Sequence, residues 1–85
     1  MNEHRLQYKQ TPDDQVIVTV ELTEPECDAA RSHSKVPLRA GAVSAGTSYN
    51  KPTGEYSLDV RANTKTDATQ ACNAWLQAIN DELTH

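Results

Sequence analysis

Cys27, Asp28 and His33 stand within seven residues of one another, a local grouping of thiol, carboxylate and imidazole. A thiol near a helix start has a lowered pKa, and an imidazole within reach can take its proton and make it a nucleophile. Nothing in the spacing brings His33 to Cys27, so a small-molecule or hydrolytic site here ranks third among the functional readings. Metal binding is weaker still. His4, Cys72 and His85 are remote, and no pair has the C-x-x-C or H-x-x-x-H spacing of zinc sites. No metal and no cofactor are expected. The two cysteines read as reduced, buried, small apolar side chains rather than as a disulfide framework.

Carboxylates are paired at Asp13-Asp14 and gathered at Glu21, Glu24, Glu26 and Asp28. Turn chemistry accounts for the first pair, and capping with the helix dipole for the second group. Acid–base catalysis needs a cleft that desolvates one carboxyl, and a small sheet with one or two helices seldom leaves one. Gly41, Gly46 and Gly54 are too dispersed to cradle a phosphate. The chain therefore reads as a non-enzyme.

The elements that must position these groups are legible from periodicity. Residues His4 to Gln10 alternate, with Leu6 and Tyr8 on one face, and "VIVTVEL" is a β-branched run with Val16, Val18, Val20 and Leu22 inward. A two-residue loop between them would set the apolar residues on opposite faces. The three-residue loop Pro12-Asp13-Asp14 instead pairs Tyr8 with Val18 and Leu6 with Val20, with Pro12 opening a type I turn and Asp14 left-handed. Thr23 and Glu26 form a capping box, Pro25 lies in the first turn, and a short helix is predicted over 24–32 with Cys27 and Ala30 inward. "SHSKVP" then breaks it.

"PLRAGAVSAGTSYN" and "GEYSLDVRANT" are predicted to form a second hairpin across "KPTG". Asn50 then faces Glu55, Tyr49 faces Tyr56, Thr47 faces Leu58, Ala45 faces Val60 and Val43 faces Ala62. Leu38 falls out of phase, which calls for a bulge or kink near Gly41. Small residues from Gly41 to Gly46 leave room for a bulky neighbour. The last helix is predicted from a Thr66 or Asp67 cap to Leu83. Its inward stripe is Ala68, Cys72, Trp75, Ile79 and Leu83, widened by Ala71 and Leu76, with Trp75 over the small-residue strand.

The expected fold is α+β in the order ββαββα, one compact domain over 1–85. Two hairpins form a four-stranded antiparallel sheet, and the C-terminal helix packs on one face. Hydrophobic residues make up 36% of the chain, clustered and periodic enough for a small core. A free strand edge often recruits a mate, so a homodimer is a candidate. "MNEHRLQYKQ" has no apolar stretch of signal-peptide type and no run is long enough to cross a membrane, so a cytoplasmic address is expected.

Eight Lys and Arg against twelve Asp and Glu leave a net charge of −4, without the overall basic footprint of a nucleic-acid binder. Two surfaces remain. Glu21, Glu24, Glu26 and Asp28 would form an acidic ridge able to steer onto a basic groove of a protein. On the last helix, Thr69, Gln70, Asn73, Gln77, Asn80, Asp81 and Glu82 give an outer face rich in amides and lacking Lys or Arg, although better helix formers exist. The leading reading is a non-enzymatic, small acidic protein-binding module, an inhibitor or adaptor of the sort phages and other mobile elements encode. The alternative is nucleic-acid binding through a local basic patch of Arg31, Lys35, Arg39, Arg61 and Lys65.

Overall fold

The computed structural model describes residues 6–84, so the predicted strand start at His4, and His85, lie outside the described residues. Strand β1 (Gln7–Gln10) pairs antiparallel with β2 (Val16–Leu22), Tyr8 opposite Val18, in the register derived from the loop. The Thr11 N–H donates to the Gln15 carbonyl at 2.8 Å, which closes a loop of Pro12, Asp13 and Asp14. Asp14 is left-handed at φ 61°, a conformation a short polar side chain tolerates.

Helix α1 (Glu24–Ser32) starts at the predicted capping box. Glu26 N–H donates to Thr23 Oγ1 at 3.3 Å, and the Glu26 carboxylate accepts the Thr23 N–H at 2.8 Å. These bonds satisfy two of the donors that a helix start leaves unpaired. Cys27 and Ala30 are buried as expected, together with Ala29.

The next segment departs from prediction. Val36–Arg39 is a one-turn helix, α2, rather than the first part of a hairpin. Pro37 is buried under the fold, and its carbonyl accepts the Ala42 N–H at 3.0 Å. Leu38 is out of strand phase because it is helical, and it is exposed. The expected kink is present at Gly41, whose φ of 106° is open to glycine and strained for other residues.

Strand β3 (Ser44–Asn50) pairs with β4 (Glu55–Ala62) in the predicted register from Ala45↔Val60 to Asn50↔Glu55. The pairing of Val43 with Ala62 is not formed. The Val43 N–H donates to the Arg61 carbonyl at 2.7 Å while Ser44 is also the partner of Arg61. Two residues opposing one is the signature of a β-bulge, and it ends the regular ladder at Ser44.

The four strands form one antiparallel sheet in the order β1-β2-β4-β3, with Val18 against Val60 and Val20 against Leu58 at its centre. Helix α3 (Lys65–Leu83) covers one face. Its cap is Thr64, two or three residues before the predicted cap at Thr66 or Asp67, because the Thr64 hydroxyl accepts the Asp67 N–H at 3.1 Å. Ala68, Ala71, Cys72, Trp75 and Ile79 are buried, whereas Leu83 is exposed and drops out of the predicted stripe. The helix lies over β4 and β2 and against α1 and α2. The small-residue strand β3 is faced by α1 and α2 instead of by the Trp75 helix. Trp75 is fully buried, and its Nε1–H donates to the Ala30 carbonyl of α1 at 3.0 Å, so the indole joins the two helices through its polar end.

Candidate functional site

Cys27 and His33 occupy opposite kinds of environment. Cys27 is fully buried in the first turns of α1, as a free thiol. His33 caps the C-terminus of the same helix at the surface, with Nε2 3.0 Å from the Glu82 carboxylate of α3. The imidazole is thus held by a carboxylate across the helix pair, a tether between chain segments forty-nine residues apart. Burial pushes the other thiol, Cys72, up to about 12, which keeps it protonated and inert as a nucleophile. No group of three or more His, Cys, Asp or Glu side chains is arranged to hold a metal among the described residues.

The acidic ridge divides when folded. Glu21 is exposed on β2, pointing to the sheet face opposite the buried Val20 and Leu22. Glu24 and Asp28 are exposed on α1, on the helical side. Glu26 is engaged in the cap, and Asp28 lies 3.4 Å from Arg31 one turn on. Glu24 is close enough to raise the Tyr56 phenol, second to loss of solvent as a cause. Glu24 therefore stands as the acidic group beside the Tyr49–Tyr56 ring pair, whose centroids are 4.6 Å apart, with the arginine-paired Asp28 one turn on.

The basic residues are also dispersed. Lys35 and Arg39 line a shallow hollow of about 310 Å³ with Ser32, His33 and Ser34. Arg31 is paired with Asp28. Arg61 lies on the open sheet face, near Gln15 Oε1 at 3.5 Å, and Lys65 stands 4.7 Å from the centre of the Tyr8 ring. Chain neighbours at the α1–α2 junction stay together, while Arg61 and Lys65 are carried elsewhere by the sheet and by α3.

The α3 face is the one predicted surface that holds as a unit. Gln70, Asn73, Gln77 and Asp81 are all exposed, and Asn80 is half-buried beside them. At 1.5 Å per residue the stripe from 70 to 81 runs about 16 Å along the helix. Gln77 Nε2 donates to Asp81 Oδ1 at 2.8 Å, which orients both side chains. Thr69 turns to the first hairpin, 2.7 Å from the Tyr8 hydroxyl, and Glu82 turns to His33. The stripe is therefore bordered at each end by a residue that ties α3 to another element.

Sequence reasoning overlooked the open face of the sheet. Lys9, Ile17, Thr19, Gly46, Asp59 and Arg61 line a trough of about 490 Å³ there. A Cβ at Gly46 would meet nothing within 4 Å, so the glycine deepens the trough without any close neighbour requiring it. Thr19 Oγ1 donates to Asp59 Oδ1 at 2.8 Å across its floor. The available signal was the alternation itself: with Val16, Val18 and Val20 inward, Ile17 is an apolar residue on the outward set. Comparison of the chain with family models, curated proteins and solved structures finds no match.

Proposed function

We propose that this protein is a non-enzymatic protein-binding module, and that the solvent face of α3 is its contact surface. The observation that carries the reading is the continuous stripe Gln70, Asn73, Gln77, Asn80 and Asp81 on the helix side away from the core. Exposed helix positions are ordinarily filled by Lys, Arg and Glu, which form helices better than Asn. An amide-rich stripe without cations offers donors and acceptors on a rigid backbone. Its C-terminal end, with Asp81, suits a partner that places Lys or Arg there.

The module belongs with inhibitors and adaptors that act by occupying a partner, of the compact acidic kind that phages and other mobile elements encode, working in the cytoplasm. Glu24 adds a local negative charge that speeds encounter more than it tightens binding. Capture of a stoichiometric protein partner, lost in Asn73→Arg and Gln77→Arg while the melting temperature is unchanged, is the expected result. A partner that binds those variants as well as it binds the natural chain would remove α3 from the interface. Tight binding to DNA or RNA at low salt would instead favour the basic residues at the α1–α2 junction.

A further inference from the structure

We propose that β3 is a self-association edge, pairing antiparallel with the β3 strand of a second copy around a two-fold axis at Thr47. The strand lies at the outer side of the sheet, so alternate residues turn backbone N–H and C=O groups away from β4. Monomeric proteins blunt such an edge with shortness, Lys, Pro or a bulge. Ser44–Asn50 has none of these within it: seven residues, no charge and no proline, with the bulge confined to its entry at Val43.

A second copy is selected by the match between the two ends of the strand. Of the five exposed large apolar side chains among the described residues, Leu38 and Val43 sit where β3 begins and Tyr49 near where it ends. Antiparallel pairing lays one end on the other. The pairing that engages all seven residues sets Ser44 against Asn50, Ala45 against Tyr49 and Gly46 against Ser48, with Thr47 facing its own counterpart. The aromatic ring then falls beside the smallest side chain on the inward face, toward the side where α2 exposes Leu38. Charge does not oppose this geometry: Ser44–Asn50 carries none, so no like charges stand directly opposite across the pairing.

Such a dimer is isologous and closed, which limits it to two copies. Helix α3 lies over β4 and β2, so its outer face stays free in both. A dimer would present two such faces and bind a repeated or two-fold partner with avidity. The self-pairing rests on β3 alone and stands or falls independently of the α3 reading.

The test is sedimentation equilibrium on the full chain over a range of concentration, with Thr47→Lys and Thr47→Glu alongside. The natural chain should reach twice the chain mass. Each variant should sediment as one chain, because like charges face each other at the axis, and an equimolar mixture should regain the double mass. A natural chain that stays at one chain mass throughout, or a dimer that persists in both variants, overturns the proposal. If the variants do not fold, hydrogen exchange on the natural chain decides. Amides of β3 that slow as concentration rises support it, and slowing confined to other elements refutes it.

Discussion

Strands β1 and β3 both border the same sheet, yet their edges are managed by different means. β1 has four residues, carries Lys9 and runs directly into the Pro12 turn. It is held from above by side chains: the Tyr8 hydroxyl meets Thr69 at 2.7 Å, and Lys65 stands over the Tyr8 ring. β3 has seven residues without charge and is held to β4 by backbone pairing, the Tyr49–Tyr56 contact and a 2.7 Å Ser48–Ser57 hydroxyl pair. Shortness and charge protect β1 against pairing with another strand, and neither protects β3. Helix α3 serves the two edges unequally, since it touches β1 through Tyr8 and leaves β3 to α1 and α2.

The largest expected effect comes from removing what both edges share. Trp75→Ala should cost about 3–5 kcal/mol in chemical denaturation, a large part of a small domain's stability. Because α3 also carries Thr69 and Lys65, amide exchange in β1 should accelerate before that in β3. Equal acceleration would break the distinction between the edges.

Alkali tests the same helix next. Cys72 has its folded pKa raised from 9.0 to about 12 by burial, so the unfolded chain releases its proton first. The contribution of the buried thiol is complete below pH 9 and is lost as pH rises from 9 toward 12. Stability should fall across that window, measured by denaturant midpoint, and fall less steeply in Cys72→Ala. The thiol should resist alkylation at neutral pH unless the chain unfolds.

Two smaller substitutions act on one side of the sheet each. Thr23→Ala removes half of the α1 capping box and should cost about 1 kcal/mol. Since α1 packs on β3 and β4, its fraying should appear in β3 exchange rates. Tyr8→Phe removes the hydroxyl bond to Thr69 and leaves the ring beneath Lys65, at about 0.5–1 kcal/mol. Its signature is faster exchange in β1 with β3 unmoved. If both variants loosen both strands alike, the edges are one cooperative unit.

Where the sequence was readable, the signals were local. The Pro12-Asp13-Asp14 loop set the first register because a one-residue slip inverts every side chain. Thr23 and Glu26 located α1 to the residue because both halves of the capping box lie within one turn. The short helix α2 escaped notice because its start at Lys35 has no side-chain cap and one turn is too short to show a period. Thr64, Thr66 and Asp67 are all residues that cap helices, so residue type alone does not single out Thr64. Of the candidate surfaces, the α3 stripe is contiguous, because helical spacing alone places it. The acidic ridge loses Glu21 to the far face of β2, and the basic patch loses Arg61 and Lys65 to β4 and α3, because those members sit on elements that diverge in space from α1.

Sequence by itself determined the strands apart from the entry to β3, the two turn-closed registers, the helix with its capping box and the inward stripe of α3 as far as Ile79. All of these follow from contacts between residues near in the chain, where backbone geometry leaves few choices. Only the tertiary structure decided that β2 and β4 lie together at the centre, that β3 is left at an edge, and that Trp75 reaches the Ala30 carbonyl. Those pairings join segments some forty residues apart, and many arrangements of two amphipathic hairpins bury the same apolar faces. Which of them wins depends on how side chains fit across the layers, and periodicity carries no record of that fit.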